Sequence, residues 1–116
     1  MDRERTREYY LQLSEQDICD CEYCRNYVAV VRRAYPGLAE YLCGLGVDIE
    51  KPFETMPLQS YDGVMVYACV QYVVIGSPDG FTDTVVDGVS ISIADSHPTT
   101  DIGEEQFVIE LDEIKV

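Results

Sequence analysis

The sequence predicts an α+β domain in which two consecutive helices pack on one face of a four- to five-stranded, mainly antiparallel sheet. Three observations support this fold class. Apolar residues recur at helical spacing between residues 21 and 45, the chain from Val64 onward is rich in β-branched residues and alternation, and Asp87-Gly88 is a preferred pair for a two-residue hairpin turn. A length of 116 residues fits a single domain, 1–116.

The segment before the first predicted helix has two interpretations. Residues from Glu8 to Ser14 alternate between two sides, as a short strand does, and one side is formed by Tyr9, Leu11 and Leu13. A helix that extends from the charged N-terminus is the alternative. We take the strand as the prediction.

The first predicted helix begins at Asp17 or Asp20 and ends at Ala34. The polar residues from Ser14 to Asp17 suit its cap and first turn, where negative charge is favourable. Its apolar face has the spacings of three and four that one side of a helix requires, and consists of Cys21, Cys24, Val28, Val31 and Tyr35.

The second predicted helix begins at Pro36, because proline suits the first helical position, and stops at Gly46. Its apolar face contains Leu38, Tyr41, Leu42 and Leu45. Residues Val47 to Asp62 are predicted to be an extended connection, since Pro52 and Pro57 fall within them.

Four segments after this connection are predicted to be strands of the sheet, and the first three are a central strand and the two strands of a hairpin. Val64–Ile75 is apolar at nearly every position, which predicts a central strand buried on both faces. Thr82–Val86 and Val89–Ile93 form the predicted hairpin around Asp87-Gly88, with three facing pairs: Val86 and Val89, Thr84 and Ile91, and Thr82 and Ile93.

The last predicted strand alternates between an apolar and an acidic side. Phe107, Ile109 and Leu111 point inward, and the outward residues are Val108, Glu110 and Asp112. The apolar parity then switches to Ile114 and Val116, which predicts a β-bulge with one extra residue at Asp112 or Glu113.

Charge is the strongest deviation in composition. The formal net charge is −14, and residues 52–116 contain twelve acidic residues and one basic residue, Lys115. Such a surface repels phosphate and anionic lipid, so direct binding to nucleic acid or membrane is not expected. No secretory h-region and no apolar run of about 20 residues occurs, which predicts a cytoplasmic protein.

The acidic residues of the last third are the predicted partner-binding site, because most fall on turns or outward strand positions. They are Asp83, Asp87, Asp95, Asp101, Glu104, Glu105, Glu110, Asp112 and Glu113. A row of carboxylates can occupy a basic, nucleic-acid-binding surface on a partner protein. The competing interpretation is that acidity serves only solubility.

The cysteines have three interpretations. Cys19, Cys21 and Cys24, with His97, Cys43 or Cys69, could complete a zinc site, although a second Cys-x-x-Cys is missing. The thiols could instead be buried core residues, as the helical spacing predicts. A redox pair is the third possibility, weakened because Asp20 and Glu22 should raise the thiol pKa. His97 is expected to anchor its loop by hydrogen bonding.

No glycine-rich phosphate loop, paired histidine or serine motif is present, so an enzyme is not predicted. Three runs resemble a family of small uncharacterised proteins from gut-type Firmicutes and their phages: D-C-E-Y-C-R-N-Y (Asp20–Tyr27), Y-L-C-G-L-G-V-D-I-E-K-P-F-E (Tyr41–Glu54) and S-H-P-T-T-D-I-G-E-E-Q-F-V-I-E (Ser96–Glu110). The resemblance implies a shared fold and a phage or prophage context, not a reaction.

With that context, the predicted function is inhibition of a host defence nuclease, of the anti-CRISPR type, by a non-enzymatic acidic protein. The expected partner is a CRISPR effector or another nucleic-acid-binding nuclease. The alternative is a small zinc-stabilised structural protein or a thiol redox protein that uses Cys19, Cys21 and Cys24.

Overall fold

The structure is a computed structural model that describes residues 1–14, 18–61 and 63–116. Within these residues the elements are α1 (Arg3–Gln12), α2 (Glu22–Ala34), α3 (Pro36–Gly44), β1 (Glu54–Tyr61), β2 (Val64–Ile75), β3 (Thr84–Val86), β4 (Val89–Ile93) and β5 (Gln106–Lys115). The five strands form one sheet in the order β1-β2-β5-β4-β3, and every neighbouring pair is antiparallel. The predicted α+β class is confirmed.

The N-terminal segment is helix α1, so the predicted strand from Glu8 to Ser14 is wrong and the helical alternative is right. Asp2 caps α1 by accepting a hydrogen bond from the Arg5 amide at 3.0 Å. Thr6 and Tyr10, one turn apart, are both buried: Thr6 accepts from the Ile75 amide, and the Tyr10 hydroxyl donates to the Val73 carbonyl. These two bonds attach α1 to β2, and they explain a third helix where two were predicted.

The ends of α2 and α3 agree well with the sequence. Helix α2 ends at Ala34 and α3 begins at Pro36, as predicted, whereas α2 begins at Glu22 with Cys21 as its N-cap. The predicted start at Asp17 lies outside the described residues, and the start at Asp20 is two residues early. Gly46 adopts a φ of +86°, and a Cβ there would lie 2.4 Å from the Arg3 carbonyl oxygen, so glycine is required.

Strand β1 lies inside the segment that was predicted to be a connection. It pairs with β2, and the register shifts on both sides of Pro57, which suits a proline on an edge strand. Strand β2 has the predicted bounds, but it is not the middle strand, because β5 separates it from β4. The predicted number of four to five strands is confirmed, but the fifth strand is β1 and not the segment from Glu8 to Ser14.

The hairpin of β3 and β4 is confirmed. Val86 faces Val89 and Thr84 faces Ile91, and the turn residues Asp87 and Gly88 both have positive φ, 52° and 78°. The third predicted pair does not form. Strand β3 begins only at Thr84, so Thr82 lies outside the ladder and Ile93 is exposed instead of inward.

The predicted switch of parity in β5 occurs at Glu113, which has a φ of 52°. Leu111 and Ile114, three residues apart, are both buried in the same core. The predicted extra residue is wrong, however. Tyr67 pairs with Ile114 and Val70 pairs with Leu111, so the buried residues of β2 are also three positions apart. Both strands therefore switch parity together, and the register between them does not shift.

The two faces of the sheet are covered differently. The larger core lies between one face and the three helices of the described residues. On the other face Val73, Ile75 and Val108 form a small cluster beneath Phe53, Ala94 and Ile102. Among the described residues, no helix or strand lies over the remainder of that second face, around Cys69. Within the described residues, no helix has the length and apolarity required to cross a membrane.

Candidate functional site

The nine acidic residues predicted to bind a partner do not share one surface. Glu110 and Asp112 lie on the uncovered part of the sheet, on β5. Two others are held by contacts within the fold. The rest lie in connections or at the strand end: Asp83, Asp95, Asp101, Glu105 and Glu113.

Asp87 caps α3 from across the domain. Its Oδ2 accepts a hydrogen bond from the Leu38 amide at 2.9 Å, and the N-cap Tyr35 supplies no side-chain bond of its own. Gly37 makes room for this carboxylate, because a Cβ at that position would lie 2.7 Å from the Asp87 Oδ1 atom. Asp87 therefore has a structural role in joining the hairpin to α3.

Glu104 is likewise engaged, since it forms a bidentate pair with Arg5. The Arg5 Nε atom donates to Oε2 at 3.1 Å, and the Nη2 atom donates to Oε1. Arg5 also pairs with Glu8, and these contacts raise the Arg5 pKa. The pair joins the connection between β4 and β5 to α1.

The uncovered part of the sheet forms a surface that is polar except at Met56 and Cys69. We call it the carboxylate face and define it by two rows of register partners: Glu54, Gln71, Glu110 and Ser92, and Met56, Cys69, Asp112 and Ser90. Three carboxylates from two non-adjacent strands, β1 and β5, therefore point to the same side of β2. Sequence reasoning missed Glu54, because its segment was predicted to be a connection rather than a strand.

Burial and neighbouring negative charges together raise the pKa values of two ionisable groups on this face. The pKa of the Cys69 thiol rises to about 11, first through burial and then through the charges of Glu110, Asp112 and Glu54. The pKa of Asp112 is raised by partial burial and by the neighbouring charge of Glu110. The negative charges of Glu110 and Asp112 therefore repel each other on this face.

Gln71 stands in the middle of the carboxylate face and is nearly fully buried. Its Nε2 atom donates to Glu110 Oε1 and to the Ser96 carbonyl, each at 3.0 Å. Its Oε1 atom is the one buried side-chain nitrogen or oxygen of the described residues without a hydrogen-bond partner. Through its Nε2 atom, Gln71 therefore joins Glu110 to the connection between β4 and β5.

The three clustered cysteines meet at the start of α2. The sulfur atoms of Cys19, Cys21 and Cys24 lie within 4.8 Å of one another. Cys21 is the N-cap, and its sulfur accepts a hydrogen bond from the Cys24 amide at 3.5 Å. Cys24 is buried and its sulfur contacts the Thr55 hydroxyl at 3.3 Å, whereas Cys19 and Cys21 are exposed.

Two expectations about these thiols need correction. The helical face places Cys24 and Val31 in the core, but Cys21 precedes the helix and is exposed, so it is not a core thiol. The flanking acidic residues do not dominate the Cys21 pKa, which is lowered by the Cys24 amide and then by the neighbouring thiols. Burial instead raises the pKa of Cys24 to about 12, against the Thr55 hydrogen bond.

The other predicted metal ligands lie apart from this cluster. His97 is exposed; its Nδ1 atom lies 2.7 Å from the Pro98 carbonyl oxygen, and its ring packs edge-on against Phe53. These contacts agree with the expected loop anchor. Cys43 is exposed on α3, and Cys69 belongs to the carboxylate face. In the described ranges, only the three clustered cysteines bring potential metal ligands together.

Comparisons of the chain with protein-family models, with functionally characterised proteins and with solved structures gave no match.

Proposed function

We propose that this is a non-enzymatic binding protein whose carboxylate face takes up a basic surface of a partner protein. One observation carries the proposal: Glu54, Glu110 and Asp112 crowd around Cys69 on the uncovered part of the sheet. A cationic partner would relieve their mutual repulsion.

Several basic side chains of the protein are bound to groups outside the carboxylate face. Arg5 pairs with Glu8 and Glu104, and Arg32 pairs with Asp48 and Glu50. The Lys51 ammonium donates to the Tyr10 and Leu13 carbonyl oxygens at the end of α1. Because these basic residues are engaged elsewhere and the net charge is −14, the carboxylate face stays available for an external basic group.

The spacing of this face favours a macromolecule over a single ion. Successive outward residues on a strand are roughly 7 Å apart, and strands two positions apart in a sheet are separated by roughly 10 Å. The described carboxylates do not converge into a group that could chelate a metal ion. Multipoint contact with several lysine or arginine side chains suits such a grid better.

The resemblance to phage-associated proteins extends this proposal to a class of partner. Nucleic-acid-binding nucleases carry extended basic surfaces that neutralise phosphates, and a carboxylate grid would compete with the nucleic acid for them. In this proposal the protein inhibits a host defence nuclease, such as a CRISPR effector, by blocking its nucleic-acid-binding surface.

A screen against purified nucleases tests this function. DNA binding by each nuclease is measured with and without the protein, and any inhibited nuclease is titrated over a salt series. The affinity of the complex should fall as salt shortens the Debye length below about 8 Å. Glu110→Lys/Asp112→Lys should weaken the complex about tenfold or more.

The matched control is Asp79→Lys/Asp83→Lys, which changes the net charge equally at two exposed residues that do not belong to the carboxylate face. This control should weaken the affinity only through the protein's overall electrostatic field, by about threefold or less at 0.15 M salt. Equal weakening by both double variants would contradict a role for the carboxylate face in particular. A complex that is insensitive to salt and to both variants would contradict binding through acidity altogether.

A further inference from the structure

We propose that Cys19, Cys21 and Cys24 form a binding site for a thiophilic d¹⁰ metal ion, zinc in the first place, with a fourth coordination position open to an external ligand. This site is separate from the carboxylate face and does not depend on the proposed function. Three of the five cysteines of the chain meet in it.

The distances between the sulfur atoms suit such an ion. A zinc–sulfur bond of about 2.3 Å in a tetrahedron places the sulfur atoms about 3.8 Å apart. The three sulfur atoms already lie within 4.8 Å of one another, so metal binding requires each pair to approach by about 1 Å at most. Cys19 and Cys21 are exposed, and their side chains can make that adjustment without disturbing the core.

The start of α2 prepares these side chains for coordination. Thiolates are the ligand form, and a helix N-terminus stabilises negative charge through its free amide groups. The Cys24 amide already donates to the Cys21 sulfur. The Thr55 hydroxyl contacts the Cys24 sulfur at 3.3 Å and fixes its orientation from β1. Metal binding would thus join the residues before α2 to the helix and to the sheet edge.

The fourth position distinguishes this site from a closed structural zinc site. No other cysteine, histidine or carboxylate among the described residues places a ligand atom in the cluster. Two of the three ligands are exposed, so the remaining position faces solvent, where water or a small thiol can bind. Three protein ligands with one open position are typical of sites that exchange ligands.

A disulfide between two of the three cysteines is the competing use of the cluster. It would leave the third thiol without a partner, and it would exclude the metal, because coordination requires free thiolates. In a reducing compartment the thiols stay available to a metal ion.

Metal titration of the full-length protein, reduced with a phosphine, tests the proposal. Cobalt should bind at one equivalent per chain and produce a thiolate-to-cobalt charge-transfer band, which zinc then abolishes. Loss of a group that only orients a metal ligand weakens metal affinity by up to roughly 100-fold. Cys19→Ser and Cys21→Ser each remove a ligand, so each should weaken zinc affinity by more than that. The control variants Cys43→Ser and Cys69→Ser should bind as the wild type does.

Because Cys24 is buried and its replacement can impair folding, Thr55→Val provides a further test. This variant keeps all three thiols, so the cobalt band should persist while the affinity falls roughly 10- to 100-fold. An unchanged affinity would contradict Cys24 as a ligand oriented by Thr55. Less than one equivalent of metal in the wild type, equal losses in the Cys43→Ser control, or a disulfide that survives reduction would overturn the proposed site.

Discussion

The two faces of the sheet satisfy their polar groups in opposite ways. On the helix-covered face the Tyr72 hydroxyl, fully buried, donates to the Ile49 carbonyl at 2.6 Å and contacts the Tyr27 hydroxyl at 2.5 Å. On the carboxylate face no described residue donates to Gln71 Oε1, and partial burial together with the charge of Glu110 raises the pKa of Asp112. The polar groups of the first face are paired within the fold, whereas the second face retains negative charges that another molecule can pair with.

Strand β2 contains both environments along its length. From Val70 to Ile75 every residue is buried, because the helices cover one side and the connection between β4 and β5 covers the other. From Val64 to Cys69 only Tyr67 is buried. The strand predicted to be buried on both faces is thus buried on both only in its second half, and the carboxylate face extends from the edge of that cover, at Gln71, to the less buried Cys69.

The largest expected difference between the faces follows from placing a charge on each. Val70→Asp introduces a carboxylate among the helices at a fully buried position, and we expect loss of about 4 kcal/mol or more, enough to prevent folding. Val85→Asp, on the exposed side of β3, should change the free energy of unfolding by about 0.5 kcal/mol or less. Urea unfolding of both variants measures the difference, and a cooperatively folded Val70→Asp protein would contradict the burial assigned to β2.

A smaller effect is expected when a partnered hydroxyl is removed. Tyr72→Phe deletes the donor to the Ile49 carbonyl and leaves that oxygen buried, which should cost about 1–3 kcal/mol. Tyr23→Phe is the matched control, because the Tyr23 side chain is exposed and should contribute little. Thermal unfolding monitored by circular dichroism compares the two, and equal melting temperatures would mean that the tyrosine pair does not stabilise the covered face.

The smallest effect concerns the carboxylate face and should have the opposite sign. Because the folded state raises the Asp112 pKa above its ordinary value, the ionised group destabilises the fold at neutral pH, and this cost disappears as pH falls through the folded pKa. Asp112→Asn should therefore stabilise the protein by about 0.5 kcal/mol or less at pH 7, since solvent screens so exposed a group.

The pH dependence of that difference provides its check. Unfolding free energies of wild type and Asp112→Asn, measured between pH 7 and pH 3, should converge toward the acid end. A destabilised variant at pH 7, or a difference that grows on acidification, would show that Asp112 is favourably paired and that the carboxylate face is not strained.

Local sequence signals predicted the elements whose causes are local. Asp87-Gly88 specified the hairpin through positive φ, and Pro36 specified the start of α3. Helix α1 could not be predicted in this way, because the alternation of Tyr9, Leu11 and Leu13 resembles a strand. What determines α1 is tertiary: the bonds of Thr6 and Tyr10 to β2.

The same distinction applies to the candidate sites. The proximity of Cys19, Cys21 and Cys24 arises from one turn at a helix start, and sequence spacing offered a shared site only as one of three interpretations. The carboxylate face combines strands that are distant in sequence, and Glu54 joined it only when β1 was placed beside β2. Asp87 and Glu104 were indistinguishable from surface carboxylates until their contacts with Leu38 and Arg5 were known.

Mapping the bound surface tests the division between the two faces most directly. Backbone amide shifts of the ¹⁵N-labelled protein would be followed during titration with a basic nuclease obtained from the screen. Binding through the carboxylate face predicts the largest shifts at residues 54–56, 69–71, 90–92 and 110–112, with little change in α2 and α3. Shifts concentrated in the helices, or in the connection at residues 94–105, would contradict the carboxylate face as the binding surface.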